Sequence, residues 1–189
     1  MGYSRIGQAG YALMGIAANS FVGTQAVMVY MLAYLIMNLG AFLAVIVVER
    51  FTGSPSIFEF RGLGHRAPLA AVTMAVFLFA LTGLPPSIGF TGKYWLFVAV
   101  IERIPGAGGN WYAALAVIAA LNTAVALYYY ARVLRAMFFE APLAETKVTS
   151  PTSYKVLLSG FAVVTVLFGI WVSPVMDWTS WSLTRFFRG

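Results

Sequence analysis

Long apolar runs separated by short polar breaks dominate the chain. Residues 6–22 and 25–48 are apolar almost throughout, and the second run stops at Glu49-Arg50. A polar stretch from Phe51 to Ala67 follows, with Gly53, Pro55, Glu59, Arg61, His65 and Arg66. A third run extends from Pro68 to Arg103, and two more cover 111–138 and 154–173. A membrane-crossing helix needs ~20 residues. The third run is too long for one crossing, and Gly83-Leu84-Pro85-Pro86 divides it. Proline removes a backbone donor and clashes with the preceding turn, so a pair of prolines breaks a helix. The pattern predicts two half-helices, 68–83 and 87–103, forming one discontinuous span. The expected fold is all-α: a polytopic transmembrane helix bundle of about five spans, interrupted at Gly83, Pro85 and Pro86. Residues 1–175 form the transmembrane part. The tail, 176–189, carries Trp178, Trp181, Arg185, Phe186, Phe187 and Arg188 and is expected to lie as an amphipathic segment at the membrane interface.

Composition narrows the chemistry. The chain of 189 residues is 61% hydrophobic and 10% charged, and its mean hydropathy is +0.84. Such a balance places it in a lipid bilayer. Cysteine is absent, which excludes disulfides and thiolate-held zinc or iron–sulfur clusters. One histidine, His65, is too few for a multi-histidine metal or haem site. No thiolate-held or multi-histidine metal site is therefore expected in this chain. The net charge is +6, but the cations sit in short loops, where they orient helices, so nucleic acid is not expected as a partner. The N-terminus, 49–67 and 132–155 share one side and hold Arg5, Arg50, Arg61, Arg66, Arg132, Arg135, Lys147 and Lys155. The other side has Arg103, Arg185 and Arg188. This bias puts the N-terminus on the cytoplasmic side.

One cation fits neither side. Lys93 follows the Gly-Pro-Pro break inside apolar sequence, ten residues before Arg103, which is roughly 15 Å along a helix. A lysine at that depth costs ~2.5–3.5 kcal/mol on insertion scales, and by default it marks an ion or proton path. A broken helix is what lines a cavity at such a site. Asn38 and Asn122 lie near the middle of their own runs, so all three groups are expected at one depth. Tyr30, Tyr34 and Asn38 recur every four residues and share a helix face. Tyr129 stands seven residues beyond Asn122, on nearly the same face. These hydroxyls and amides are candidates for a proton path through Lys93. They also suit plainer duties: asparagines bind helices together, tyrosine stripes pack, and long lysines reach toward the interface. No carboxylate stands three or four residues from Lys93, so an acid partner would come from another chain.

Four stretches carry a resemblance: Tyr3-Ser4-Arg5-Ile6-Gly7-Gln8-Ala9-Gly10-Tyr11, Tyr34-Leu35-Ile36-Met37-Asn38-Leu39-Gly40-Ala41-Phe42, Gly83 to Phe97, and Tyr128-Tyr129-Tyr130-Ala131-Arg132-Val133. In order and spacing they resemble the C-terminal part of subunit N, the antiporter-like membrane subunit of proton-pumping NADH–quinone oxidoreductase, respiratory complex I. The Gly83–Phe97 stretch alone is also similar to subunits of multi-subunit sodium/proton antiporters. The resemblance implies that the residue at Lys93 is a central proton-transfer group and that the helix break is a family feature. It implies that NADH, FMN, iron–sulfur clusters and quinone are bound in other subunits, with redox energy reaching this one along the membrane arm. Other membrane-arm subunits are the expected partners. The expected setting is a bacterial inner membrane, with organellar inner and thylakoid membranes as the other settings. Family members have about fourteen helices in two inverted repeats, of which this chain matches the last five or so. Independent catalysis by this chain is therefore not expected. The alternatives are a sodium/proton antiporter subunit and a non-catalytic scaffold.

Overall fold

The structure, a computed structural model, describes residues 2–54, 56–142 and 151–188. Lys147 lies outside the described residues, as do the side chains of Arg5, Phe186, Phe187 and Arg188. All regular structure among the described residues is helical. The helices are α1 (Gly2–Ala17), α2 (Phe21–Thr52), α3 (Leu63–Arg66), α4 (Pro68–Thr82), α5 (Ile88–Ile101), α6 (Gly109–Phe139), α7 (Thr152–Ile170) and α8 (Ser173–Arg188), with a 3-10 turn at Ile57–Phe60. Three of them, α2, α6 and α7, are long and apolar enough to cross a membrane unaided. The pair α4 and α5 supplies the discontinuous crossing, and α1 completes the five elements.

Local chemistry sets most of the ends. Asn19 adopts a left-handed φ of 44°, and the Ser20 side chain accepts from the Gly23 amide to cap α2. The first expected run therefore stops at Ala17 instead of reaching residue 22. Pro68 opens α4, where its missing N–H costs nothing. Ser87 caps α5 by accepting from the Phe90 amide.

Helix α2 is the central post. It packs against α1, α4, α5, α7 and α8. One apolar cluster joins α2 to α4 and α7, and another joins α1, α2, α5 and α6. The stretch 51–67, expected as a solvated polar loop, is partly built in. Phe60, Leu63 and Arg66 are buried there, while His65 is exposed. Arg61 pairs with Glu140 at 2.7 Å, and Arg50 donates to the Tyr154 hydroxyl at 3.0 Å. These contacts gather the end of α2, the end of α6 and the start of α7 on one side, the grouping expected from charge. The tail is helical from Ser173, a few residues earlier than expected. Val175, Thr179 and Leu183 turn inward, Gln25 of α2 donates to the Met176 carbonyl at 3.0 Å, and Trp178 and Trp181 stay exposed.

Candidate functional site

The site begins with the end of a helix. The last carbonyls of any α-helix lack partners within it. At the end of α4, Gly83 takes a left-handed φ of 90° and folds the chain back. Its amide then donates to the Ala80 carbonyl at 3.0 Å, and the Leu84 amide to the Phe79 carbonyl at 3.0 Å. The Leu81 and Thr82 carbonyls are left over. Lys93 takes both: Nζ donates to Leu81 at 3.0 Å and to Thr82 at 2.8 Å. The helix dipole adds partial negative charge at the same point, which favours a cation.

The lysine reaches this position because the half-helices overlap sideways. Gly89, one turn before Lys93 on the same face, lies against the backbone of Ala80. A helical side chain leans toward its own N-terminus, so Lys93 extends back along α5 to the end of α4. On the far side Gly169 of α7 presses against the backbone at Ser87 and Ile88, and Thr91 donates to the Gly169 carbonyl at 3.3 Å. Lys93 is only 5% exposed, and the residues that hold it come from the protein interior.

Two residues of α1 join it. Gln8 donates through Nε2 to the same Leu81 carbonyl at 3.1 Å. Its Oε1 accepts from the Tyr30 hydroxyl. The Tyr11 ring lies beneath the amine, with Nζ 4.4 Å from its centroid. The Tyr11 hydroxyl donates to the Ala119 carbonyl at 2.8 Å and lies 2.5 Å from the Thr123 hydroxyl oxygen. Beyond Tyr11 is a cleft of about 420 Å³ between α1 and α6, lined by Gly7, Gly10, Tyr11, Ala119 and Asn122 among others. Gly7 brings α1 close to Asn122: a Cβ at that position would meet Asn122 Nδ2 at 2.9 Å, and the amide would have to turn aside.

The expected common depth of Lys93, Asn38 and Asn122 is only partly what the structure holds. Tyr30 packs against Gly92 and is joined to the lysine's carbonyl through Gln8. Helix α5 starts beside the middle of α2, with Gly89 near Met37, and runs antiparallel to it. Lys93 is thereby level with Tyr30, and Asn38 stands eight residues away, about 12 Å along α2. Asn122 is half-buried across the cleft. Tyr34 and Tyr129 are half-buried against the cluster of α2, α4 and α7, and Tyr129 meets Tyr130 edge-on at 4.5 Å. Among the described residues, no hydrogen bond joins Tyr34, Asn38, Asn122 or Tyr129 to Lys93.

The NADH:quinone oxidoreductase/Mrp antiporter transmembrane family has a family model that matches residues 1–122. The chain belongs to this family. It is 58% identical over 191 residues to NADH-quinone oxidoreductase subunit N of Anaeromyxobacter sp. (strain Fw109-5), covering 100% of this chain and 37% of that protein. It is 43% identical to NADH-quinone oxidoreductase subunit N 2 of Sorangium cellulosum (strain So ce56), covering 97% of this chain and 36% of that one. The chain thus spans a little over a third of the length of these relatives. Its fold matches a chain of respiratory complex I from Thermus thermophilus with a TM-score of 0.75 at 28% identity, covering 93% of this chain and 38% of that one. A chain of the membrane-bound sulfane sulfur reductase, an archaeal respiratory membrane complex, matches at 0.79 and 26% identity, over 94% and 35% of the two chains. A chain of the Mrp complex from Dietzia sp. DQ12-45-1b shares the fold, at 0.75 and 21% identity, over 92% and 39%. The expected antiporter-like membrane fold and the likeness to subunit N therefore stand.

Gln8 and Tyr11 were not singled out from sequence. Gln8 is a polar residue in an apolar run, a signal that was present. Its partner is 73 positions away, and nothing local points to it. Gln8→Leu should leave Tyr30 without an acceptor in the interior, at a cost of about 1–3 kcal/mol. Thermal denaturation of the membrane complex carrying that variant checks this.

Proposed function

We propose that this chain contributes a proton-transfer element to the membrane arm of an NADH–quinone oxidoreductase, with Lys93 as the group that takes up and releases the proton. One observation carries the reading: a buried amine, apart from bulk water, donates to the two carbonyls that a broken helix leaves unpaired. The charged amine is held by the end of α4; the neutral amine is held less strongly, because a charge-assisted hydrogen bond is about twice as strong as a neutral one. Protonation is thereby linked to how firmly α5 is tied to α4. A conformational change elsewhere in the complex that moves the break would change the lysine's hold on its proton, and the reverse holds by linkage.

The relatives' names, NADH-quinone oxidoreductase subunit N and subunit N 2, support the setting of one subunit within a larger oxidoreductase. In this reading NADH, FMN, iron–sulfur clusters and quinone are held by other subunits. On the same reading membrane-arm subunits are the partners and the setting is a bacterial inner membrane, and the charge bias of the loops supports a cytoplasmic N-terminus. This chain supplies no redox step of its own. The test is ion replacement in membrane vesicles containing the assembled complex. NADH-driven proton uptake should persist unchanged when sodium is replaced by choline. A strict sodium requirement would instead assign the chain to sodium/proton exchange. Normal proton uptake in Lys93→Ala would reduce it to a scaffold.

A further inference from the structure

An ammonium has three N–H groups. Two of those on Lys93 point to the Leu81 and Thr82 carbonyls. Among the described residues no third oxygen is bonded to Nζ. What lies there is the Tyr11 ring face, 4.4 Å away. A desolvated cation over an aromatic face is attracted by the ring quadrupole, more strongly than at an exposed site. The ring itself is held. Its hydroxyl is fixed by Ala119 and Thr123 of α6, and the ring lies tilted by 58° against the Tyr30 ring, 6.1 Å between centroids. Tyr11 is 3% exposed, and it also forms the wall of the cleft that holds Asn122.

From this geometry we propose that Tyr11 is a positioning residue for the relay: its ring face takes the third N–H of Lys93, and its hydroxyl, tethered to α6, aims the ring. Resting on the lysine-relay reading, the inference adds that α6 controls the amine through Tyr11 without touching it. The ring also closes Lys93 off from the α1/α6 cleft. An amine released from the ring would turn toward that cleft.

The test uses vesicles containing the assembled complex, with proton uptake measured per NADH oxidised. Tyr11→Phe keeps the ring face but loses the tether to α6 and should lower proton uptake about three-fold, whereas Tyr11→Leu, which removes the face as well, should lower it about ten-fold; wild-type uptake in Tyr11→Phe would overturn the aiming role of the hydroxyl. A size-preserving series guards against misfolding. In the Tyr11→Phe background, mono-, di- and trifluorophenylalanine at position 11 should lower uptake stepwise as the ring face loses negative potential. Equal uptake across the fluorine series, or wild-type uptake in Tyr11→Leu, would overturn the proposal. Lys93→Ala measured in parallel separates the two readings. If that variant loses uptake while the Tyr11 variants do not, the relay stands and the role of Tyr11 fails. If Lys93→Ala is itself normal, the relay reading fails.

Discussion

Lys93→Met should abolish most proton translocation while leaving the complex assembled. Methionine has nearly the length of lysine and fills the same space, so the packing between α4 and α5 survives. Burying a charge is costly, and replacing one with an apolar group is often neutral or stabilising. Against that, the Leu81 and Thr82 carbonyls lose their donor, at about 1–3 kcal/mol for each unsatisfied group. Gln8 still donates to Leu81, so Thr82 bears most of the loss. The net effect on stability is therefore small. The effect on transfer is not, because methionine carries no exchangeable proton. Removing a positioned proton-transfer group typically costs ~10²–10⁴-fold at the step it serves. Proton uptake per NADH oxidised, measured beside subunit content, separates the two effects.

Gly89→Val should damage the same site from the other direction, through structure. A Cβ at Gly89 would overlap the Ala80 carbonyl oxygen and sit 2.7 Å from Met37 Sδ. The oxygen belongs to backbone and cannot swing aside, so α5 must move away from α4. Overpacking of this kind costs about 1–3 kcal/mol or more. Lys93 is one turn further along the same face, so the shift carries its amine away from both carbonyls. Less complex should assemble, and what assembles should translocate poorly. Gly160 supplies the control. Nothing lies within 4 Å of a Cβ built there, so Gly160→Ala should behave as wild type. Subunit content by immunoblot and proton uptake read both variants.

Much of this site could be foreseen from the order of residues. Gly83-Leu84-Pro85-Pro86 announced the break, and a lone lysine in an apolar run announced itself by its cost. Tyr30 faces Gly92 and, through Gln8, the Leu81 carbonyl that Lys93 also holds. The connections were hidden for a physical reason. Helices α4 and α5 are apolar on every side, so their periodicity does not say which face meets which neighbour. Hydrogen bonds from α1 to the end of α4, and from Tyr11 to α6, depend on that missing packing. The sideways overlap of the half-helices was equally hidden, and it moved Lys93 level with Tyr30 and away from Asn38. The turn between α1 and α2 has its signal in residue type: Asn19 tolerates a left-handed φ, and Ser20 is a good cap. The burial within 51–67 is not legible in its composition, because Phe60 and Leu63 stand among Glu59, Arg61, His65 and Arg66.

The measurement closest to the centre of this account is the chemical reactivity of one amine. Opened membrane fragments containing the assembled complex would be treated with a small, water-soluble acylating reagent, and modification at each lysine followed by mass spectrometry. Lys155, at the exposed start of α7, is the internal reference. Lys155 should react readily and Lys93 should stay unmodified until the complex is denatured. Modification of Lys93 in the intact complex as fast as Lys155 would mean that its amine meets bulk water, and the buried relay would be contradicted.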